Sequence, residues 1–301
     1  MTLVFIAAGA LAAPMPSAAP PDKPPAKEPG KAATAPAAPA PKTPAKDPPP
    51  RDDPPFISPK TLQALTPEAR KVLHPKGPAE LEPMAKADPL AFLKMSLKWY
   101  DDHVASYTCT FVKQEYVGGE LLKTETMDMK FREKPFSVHL RWNNPNKGQE
   151  GMYVEGQYKN KLVVHPVGFL ALLFPTARIE PTDDRAMKRA RRPITCAGLG
   201  NMLRLIISQC EDALAKGDLT LEYMGIREEG GRQTYVFKRT LPRGKEYPCY
   251  TMTVYIDQQF LIPIRSDAYD WDGDLLGHYR YMDLNLNTPL TDDDFNPDKR
   301  F

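Results

Sequence analysis

The side chains best suited to chemistry are a run of acids, Asp267, Asp270, Asp272 and Asp274, and a run of cations, Arg185, Lys188, Arg189, Arg191 and Arg192. The acids first suggest calcium. An EF-hand loop needs glycine at its sixth position and a bidentate Glu at its twelfth. Here Gly273 comes fourth and that Glu is absent, so Asp272-Gly273 reads as a hairpin turn. Asp292-Asp293-Asp294 reads as a loop whose carboxylates bond their own backbone. The five histidines, His74, His103, His139, His165 and His278, show no metal-ligand spacing and no local Ser or Cys partner signature. Gly198-Leu199-Gly200 lacks the third glycine of a dinucleotide fingerprint and reads as a helix start. No catalytic residue, cofactor or metal is expected, so the chain reads as a non-enzyme.

The cations point elsewhere. Several guanidiniums just before a helix N-terminus make a site for a carboxylate or phosphate, and Arg185, Arg189, Arg191 and Arg192 are the candidates. A solvated basic loop is the alternative. Just upstream, Phe169 to Phe174 is an unbroken apolar run, a buried segment or a lid built on Phe169, Leu172 and Phe174. Together the two segments suit an amphiphile, with its chain under the lid and its anionic head on the arginines.

Positioning these residues falls to strands. Met127, Met129 and Phe131 alternate with Thr126, Asp128 and Lys130; Val138, Leu140 and Trp142 with His139, Arg141 and Asn143; Met252 and Val254 with Thr251, Thr253 and Tyr255. Period-two alternation buries one face and wets the other, the pattern of antiparallel sheet. The expected strands are 107–116, 121–132, 136–142, 151–155, 161–165, 219–226, 235–241, 249–257, 261–269 and 275–286, about ten in all. Gly118-Gly119 joins the first two. Asp88-Pro89 opens a helix carrying Leu90, Leu93, Leu97, Tyr100 and Val104, a second helix is expected over 195–216 with Gly217 as its stop, and a short one over 61–74. Regular βα alternation is missing, which argues against a Rossmann or barrel enzyme and for a mainly β, α+β fold: a curved antiparallel sheet around helices.

The N-terminal third is different. Residues 1–13 hold a short apolar run ending in Ala10-Leu11-Ala12 and read as a signal peptide, too short to span a bilayer. Residues 14–85 read as a disordered spacer, because its Pro/Ala/Lys composition, densest up to about residue 55, buries too little apolar surface to offset the entropy of ordering. Residues 86–301 form the domain. The expected mature chain is exported, to the periplasm or cell envelope, with no transmembrane segment. A net charge of +2 excludes nucleic acid as a general partner. Cys196 and Cys210, separated by fourteen residues of expected helix and so by about 21 Å, cannot bridge each other. Either each pairs with Cys109 or Cys249, or all four are free buried thiols.

Read together, Tyr107 to Glu115, Lys134-Pro-Phe-Ser-Val138, Lys147 to Glu150 with Tyr153 to Gly156, and Arg192-Pro-Ile-Thr195 resemble a bacterial exported family known as domain of unknown function 1571. So do Ile256-Asp257 with Leu261 to Arg265, Tyr269-Asp270 and Leu290 to Pro297. That family is similar to the LolA/LolB lipoprotein carriers and the ligand-binding domain of the RseB sensor. The resemblance implies an open, strongly curved antiparallel half-barrel with helices on its concave side and an apolar cavity between them. The expected cavity wall is Met127, Met129, Phe131, Val138, Leu140, Trp142, Met252 and Val254, with plain core packing as the alternative for each. The expected function is to hold an acyl chain, lipid or lipoprotein. The second reading is a cell-envelope interaction module, tethered by the Pro-rich spacer, whose partners are envelope proteins.

Overall fold

In the computed structural model the described residues are 67–168 and 176–300. Twelve strands, β1 (Ser106–Val117), β2 (Glu120–Leu121), β3 (Glu125–Arg132), β4 (Ser137–Asn144), β5 (Glu150–Val154), β6 (Leu162–His165), β7 (Ala177–Ile179), β8 (Thr220–Glu229), β9 (Arg232–Thr240), β10 (Thr251–Asp257), β11 (Pro263–Tyr269) and β12 (Leu275–Leu286), form one antiparallel sheet. Its order is β7-β6-β5-β4-β3-β1-β12-β11-β10-β9-β8, with the two-residue β2 folded back on β1. The path ends at β7 and β8, so the sheet is open rather than a closed barrel. Setting aside the two-residue β2 between β1 and β3, chain neighbours pair at every step except β1 with β12, which brings the first and last long strands together at the centre. The expected strands are present; β2 and β7 are additions too short to leave a periodic signal.

Three helices matter to the site: α1 (Pro78–Ala87), α2 (Pro89–His103) and α3 (Leu199–Ala215). Asp88 caps α2 by accepting from the Ala91 N–H at 2.9 Å, and Pro89 follows at the first helical position, as the Asp-Pro pair requires. The buried stripe of α2 is Phe92, Leu93, Ser96 and Tyr100, so Leu90 and Leu97 sit at the stripe's margin. Ordered packing starts earlier than residue 86: α1 overlaps the segment read as spacer and buries Leu81 and Ala85 against α2, α3 and the sheet. Val72 is fully buried as well, and its carbonyl accepts from the Trp99 indole at 3.0 Å. Composition concealed this, because α1 carries only two residues that need burial. Of the short helix expected over 61–74, one turn, Pro67–Arg70, falls within the described residues.

Helix α3 begins at Leu199 behind Gly198, with Gly217 just past its end at φ +70°. Cys196 therefore lies in a separate turn, Ile194–Cys196, and not on the helix. All four cysteines are free: Cys109, Cys210 and Cys249 are buried and Cys196 is exposed.

Candidate functional site

The alternation of β1 puts Tyr107, Cys109, Phe111, Lys113 and Glu115 on one face, and the sheet register extends each into a row. Tyr107 pairs with Phe131, and Phe131 with Val138. Cys109 pairs with Met129, and Met129 with Leu140. Phe111 pairs with Met127 and Tyr281, and Met127 with Trp142. These three apolar rows share one core cluster, which includes Leu199 of α3. Met252 and Val254 stand farther along the sheet, in a second cluster under α1, α2 and α3. Six of the eight expected cavity residues are thus brought together and two are set apart.

The helix seats tightly on the first row. The Leu199 N–H donates to the Tyr107 hydroxyl at 3.0 Å, and the rings of Tyr107 and Phe131 stack with centroids 4.8 Å apart. A Cβ on Gly198 would lie 2.5 Å from Phe131 Cε2, and its φ of +110° is in any case a glycine conformation. A Cβ on Gly200 would lie 2.3 Å from Tyr100 Cε1. Both glycines of the Gly-Leu-Gly triplet are therefore close-packing residues at a helix start. Met127, Met129, Phe131 and Val138 are sealed from solvent, whereas Trp142 is only partly buried and its indole N–H is buried without a partner.

The fourth row is ionic. Lys113 is flanked by Glu125 and Tyr279 in register. Its ammonium lies 2.8 Å from Glu115 and 3.1 Å from Glu125, and both carboxylates are almost entirely buried. The Tyr279 hydroxyl donates to Glu115 at 2.6 Å; burial, then the Glu115 charge, pushes the phenol well above its ordinary pKa. A buried charge is tolerated only when paired, and this row pairs all of its charges.

Onto this row comes the basic loop. Arg189 reaches Glu125 at 3.4 Å, and its carbonyl accepts from Lys113 at 3.1 Å. Arg191 donates to the carbonyls of Tyr116 and Pro248, at 3.3 and 3.4 Å, tying the β1–β2 hairpin to the segment before β10. Arg185 turns away and grips Asp183, whose carboxyl it holds well below the usual carboxylate range. Arg192 is exposed beside Tyr279. Of the four expected head-group arginines, Arg191 and Arg192 keep a charge that no carboxylate among the described residues offsets within salt-bridge distance. The lid residues Phe169, Leu172 and Phe174 lie outside the described residues.

Lys113, Glu115, Glu125 and Tyr279 went unnoticed in the sequence as site residues. The phase of β1 alone puts Lys113 and Glu115 on the face of Phe111; adding Tyr279 requires knowing that β12 closes on β1. Among the described residues no group of three or more His, Cys, Asp or Glu could hold a metal. The acids first considered for calcium are spent locally: Asp270 accepts from the Asp272 and Asp274 N–H groups across the hairpin turn, and Asp267 holds Arg265 and His278. Asp294 closes a capping box with Thr291. Near the other end of the central strands lies an open cleft of about 670 Å³ whose lining includes Asp101, Glu133 and Arg204. Within the lining Arg204 pairs with Asp101 and stands 4.0 Å from Glu133, which also accepts from Tyr100 at 2.6 Å, while Asp102 and Arg132 pair with Lys98 and Asp292 outside it.

The model of a family described as protein of unknown function (DUF1571) matches residues 104–300. No curated protein matches the chain. Among solved structures, a DUF1329 family protein from Desulfovibrio piger is 14% identical, with 70% of this chain and 98% of that one covered and a TM-score of 0.37. The lipoprotein LppX of Mycobacterium tuberculosis is 17% identical, with 68% and 98% covered and a TM-score of 0.39. The Pseudomonas aeruginosa MucA/MucB complex matches at 16% identity, with 69% of this chain and 61% of that one covered and a TM-score of 0.42. Likeness at this level carries no inference about ligand or partner. No described helix is long and apolar enough to cross a membrane.

Proposed function

We propose that this chain, which belongs to the DUF1571 family, is a non-enzymatic binding protein that holds an acyl chain against the apolar rows of its sheet. The observation that carries the reading is the order of the rows: three apolar rows, two of them containing methionine, run directly into an ionic row overhung by Arg191 and Arg192. An amphiphile needs that sequence of surfaces. Methionine is unbranched and polarisable, so Met127 and Met129 can reshape around a guest at low cost. The rows are closed by the chain leading into α3, so ligand entry requires that cover to shift. Residues 1–13 then serve export to the periplasm or envelope, and the Pro/Ala/Lys-rich segment serves as a spacer.

The test is organic extraction and mass spectrometry of the chain purified from an exporting bacterial host, followed by titration with a fluorescent fatty acid. A stoichiometric acyl lipid, or saturable probe binding displaced by unlabelled fatty acid, is the expected result. A lipid-free chain that melts cooperatively and binds no probe would end this reading. The envelope interaction module would then stand, supported by β8, an edge strand of ten residues with Met224 and Ile226 exposed.

A further inference from the structure

Strand β9 turns Tyr235, Phe237 and Arg239 toward the helices. Arg239 is only 1% exposed, and a guanidinium is charged at every pH a protein meets. Other buried arginines here meet carboxylates, Arg232 at Asp257 and Arg280 at Glu229. Arg239 does not. Its Nη1 donates to Gln209 Oε1 at 2.6 Å, its Nη2 to Cys249 Sγ at 3.0 Å, and its Nε has no partner. Cys210, next to Gln209 on α3, borders the same guanidinium. Two thiols from distant parts of the chain, one on α3 and one leading into β10, therefore converge on one buried cation. The other two cysteines lie elsewhere: Cys109 beside Met129 in the first cluster, and Cys196 exposed ahead of α3.

We propose that Cys210 and Cys249 are a redox pair whose disulfide staples α3 to the sheet. The oxidant is a disulfide, either of a thiol oxidase or of glutathione. One cysteine, as thiolate, attacks that disulfide and expels one of its sulfurs; the second attacks the resulting mixed disulfide and expels the other. The two electrons and, through solvent, the two thiol protons end on the oxidant, now two thiols. A neighbouring guanidinium favours the thiolate that attacks. With α3 docked, burial pushes the Cys210 thiol up, and Arg239 pulls it the other way without prevailing. Exchange therefore takes place while α3 is lifted, and the bond fixes the docked arrangement. Arg239 keeps Gln209 as its acceptor when the sulfurs join.

The inference is independent of what the sheet binds. The full chain is equilibrated with glutathione disulfide, denatured in N-ethylmaleimide and mapped by mass spectrometry without reduction. The expected product is a single cross-linked peptide pair joining Cys210 to Cys249, two hydrogens lighter than its reduced parts, with Cys109 alkylated and Cys196 carrying glutathione. Its Tm should exceed that of the chain kept in reductant. Cys249→Ser should lose the cross-link and the redox dependence of Tm; if Cys210→Ser fails to fold, Cys249→Ala serves as the second variant. Alkylation of both Cys210 and Cys249 after oxidation, a cross-link to another cysteine, or a redox-dependent Tm in Cys249→Ser would each overturn the proposal.

Discussion

Replacing Gly200 by Ala pits helix propensity against packing, and the structure decides the sign. In an exposed helix Gly→Ala stabilises by about 1 kcal/mol. At Gly200 the new methyl would lie 2.3 Å from Tyr100 Cε1, 2.9 Å from Tyr100 Cδ1 and 2.8 Å from Arg204 Nη1. The Arg204 end can swing away. The Tyr100 ring cannot do so freely, because it is fully buried and its hydroxyl is tied to Glu133 at 2.6 Å. Restoring ordinary contact moves the ring by about 1 Å, an overpacking cost of about 1–3 kcal/mol. Breaking the bond to the Glu133 carboxylate adds about 1.5–3 kcal/mol. The expected net effect of Gly200→Ala is a loss of about 3 kcal/mol. Urea denaturation followed by circular dichroism measures it. In a Tyr100→Leu background the methyl meets no ring, and the same substitution should be neutral or stabilising by up to about 1 kcal/mol. A Gly200→Ala chain as stable as wild type would refute the seating of α3 on α2.

Three further outcomes follow from the ionic row, the C-terminal turn and Trp142. Lys113→Met leaves Glu115 and Glu125 buried without their shared cation and should cost about 3 kcal/mol in a denaturant titration. For Asp294, burial works to raise the pKa, but the Lys130 hydrogen bond, the Thr291 N–H and the charges of Lys130 and Arg300 overcome it and bring it to about 2. A carboxyl lowered on folding stabilises above its unfolded pKa of 3.8 and loses that contribution as pH falls toward 2. Asp294→Asn should therefore destabilise at pH 6 by about 1 kcal/mol, water near the turn weakening the pairing, and the gap to wild type should narrow below pH 4 and close only as pH falls through about 2. On the proposed function, Trp142→Phe keeps the apolar wall, removes the unpartnered indole N–H, and should weaken fatty-acid probe affinity less than Met127→Asp does; equal losses would deny the row its role.

The strands were legible because one buried face writes itself into a sequence as alternation. Met127, Met129 and Phe131 fell into phase with Trp142, Leu140 and Val138 as the register later placed them. Which rows become neighbours was not legible: the joining of β1 to β12 is a contact between the two ends of the domain, and no local pattern encodes it. The same non-local pairing hid Tyr279 behind Lys113. Helix α1 escapes the sequence reading for a compositional reason, since ten residues containing five prolines or alanines and one leucine resemble a spacer until their Leu81 and Ala85 find a groove. The arginine run was visible, but not that Asp183 and Glu125 would claim Arg185 and Arg189.

The rows also differ in how firmly they are held, which bears on where a guest would enter under the proposed function. The first is pinned: Tyr107 bonds the α3 backbone, Phe131 lies under Gly198, and neither ring can move without lifting the helix start. The second and third also hold Leu140, Phe111, Tyr281 and Trp142, but between these stand Cys109, Met127 and Met129, whose side chains are small or unbranched and lose little by repacking. The fourth is rigid in a different sense, because separating Lys113 from either carboxylate exposes a buried charge. A chain threading from the Tyr107 end would have to displace stacked aromatics. One entering past Trp142 would meet a partly exposed ring and then the methionines. Photo-crosslinking with an acyl chain carrying a terminal diazirine should therefore label Met127 and Met129 in preference to Tyr107 and Phe131. Labelling concentrated on the first row would place the opening at the helix start instead.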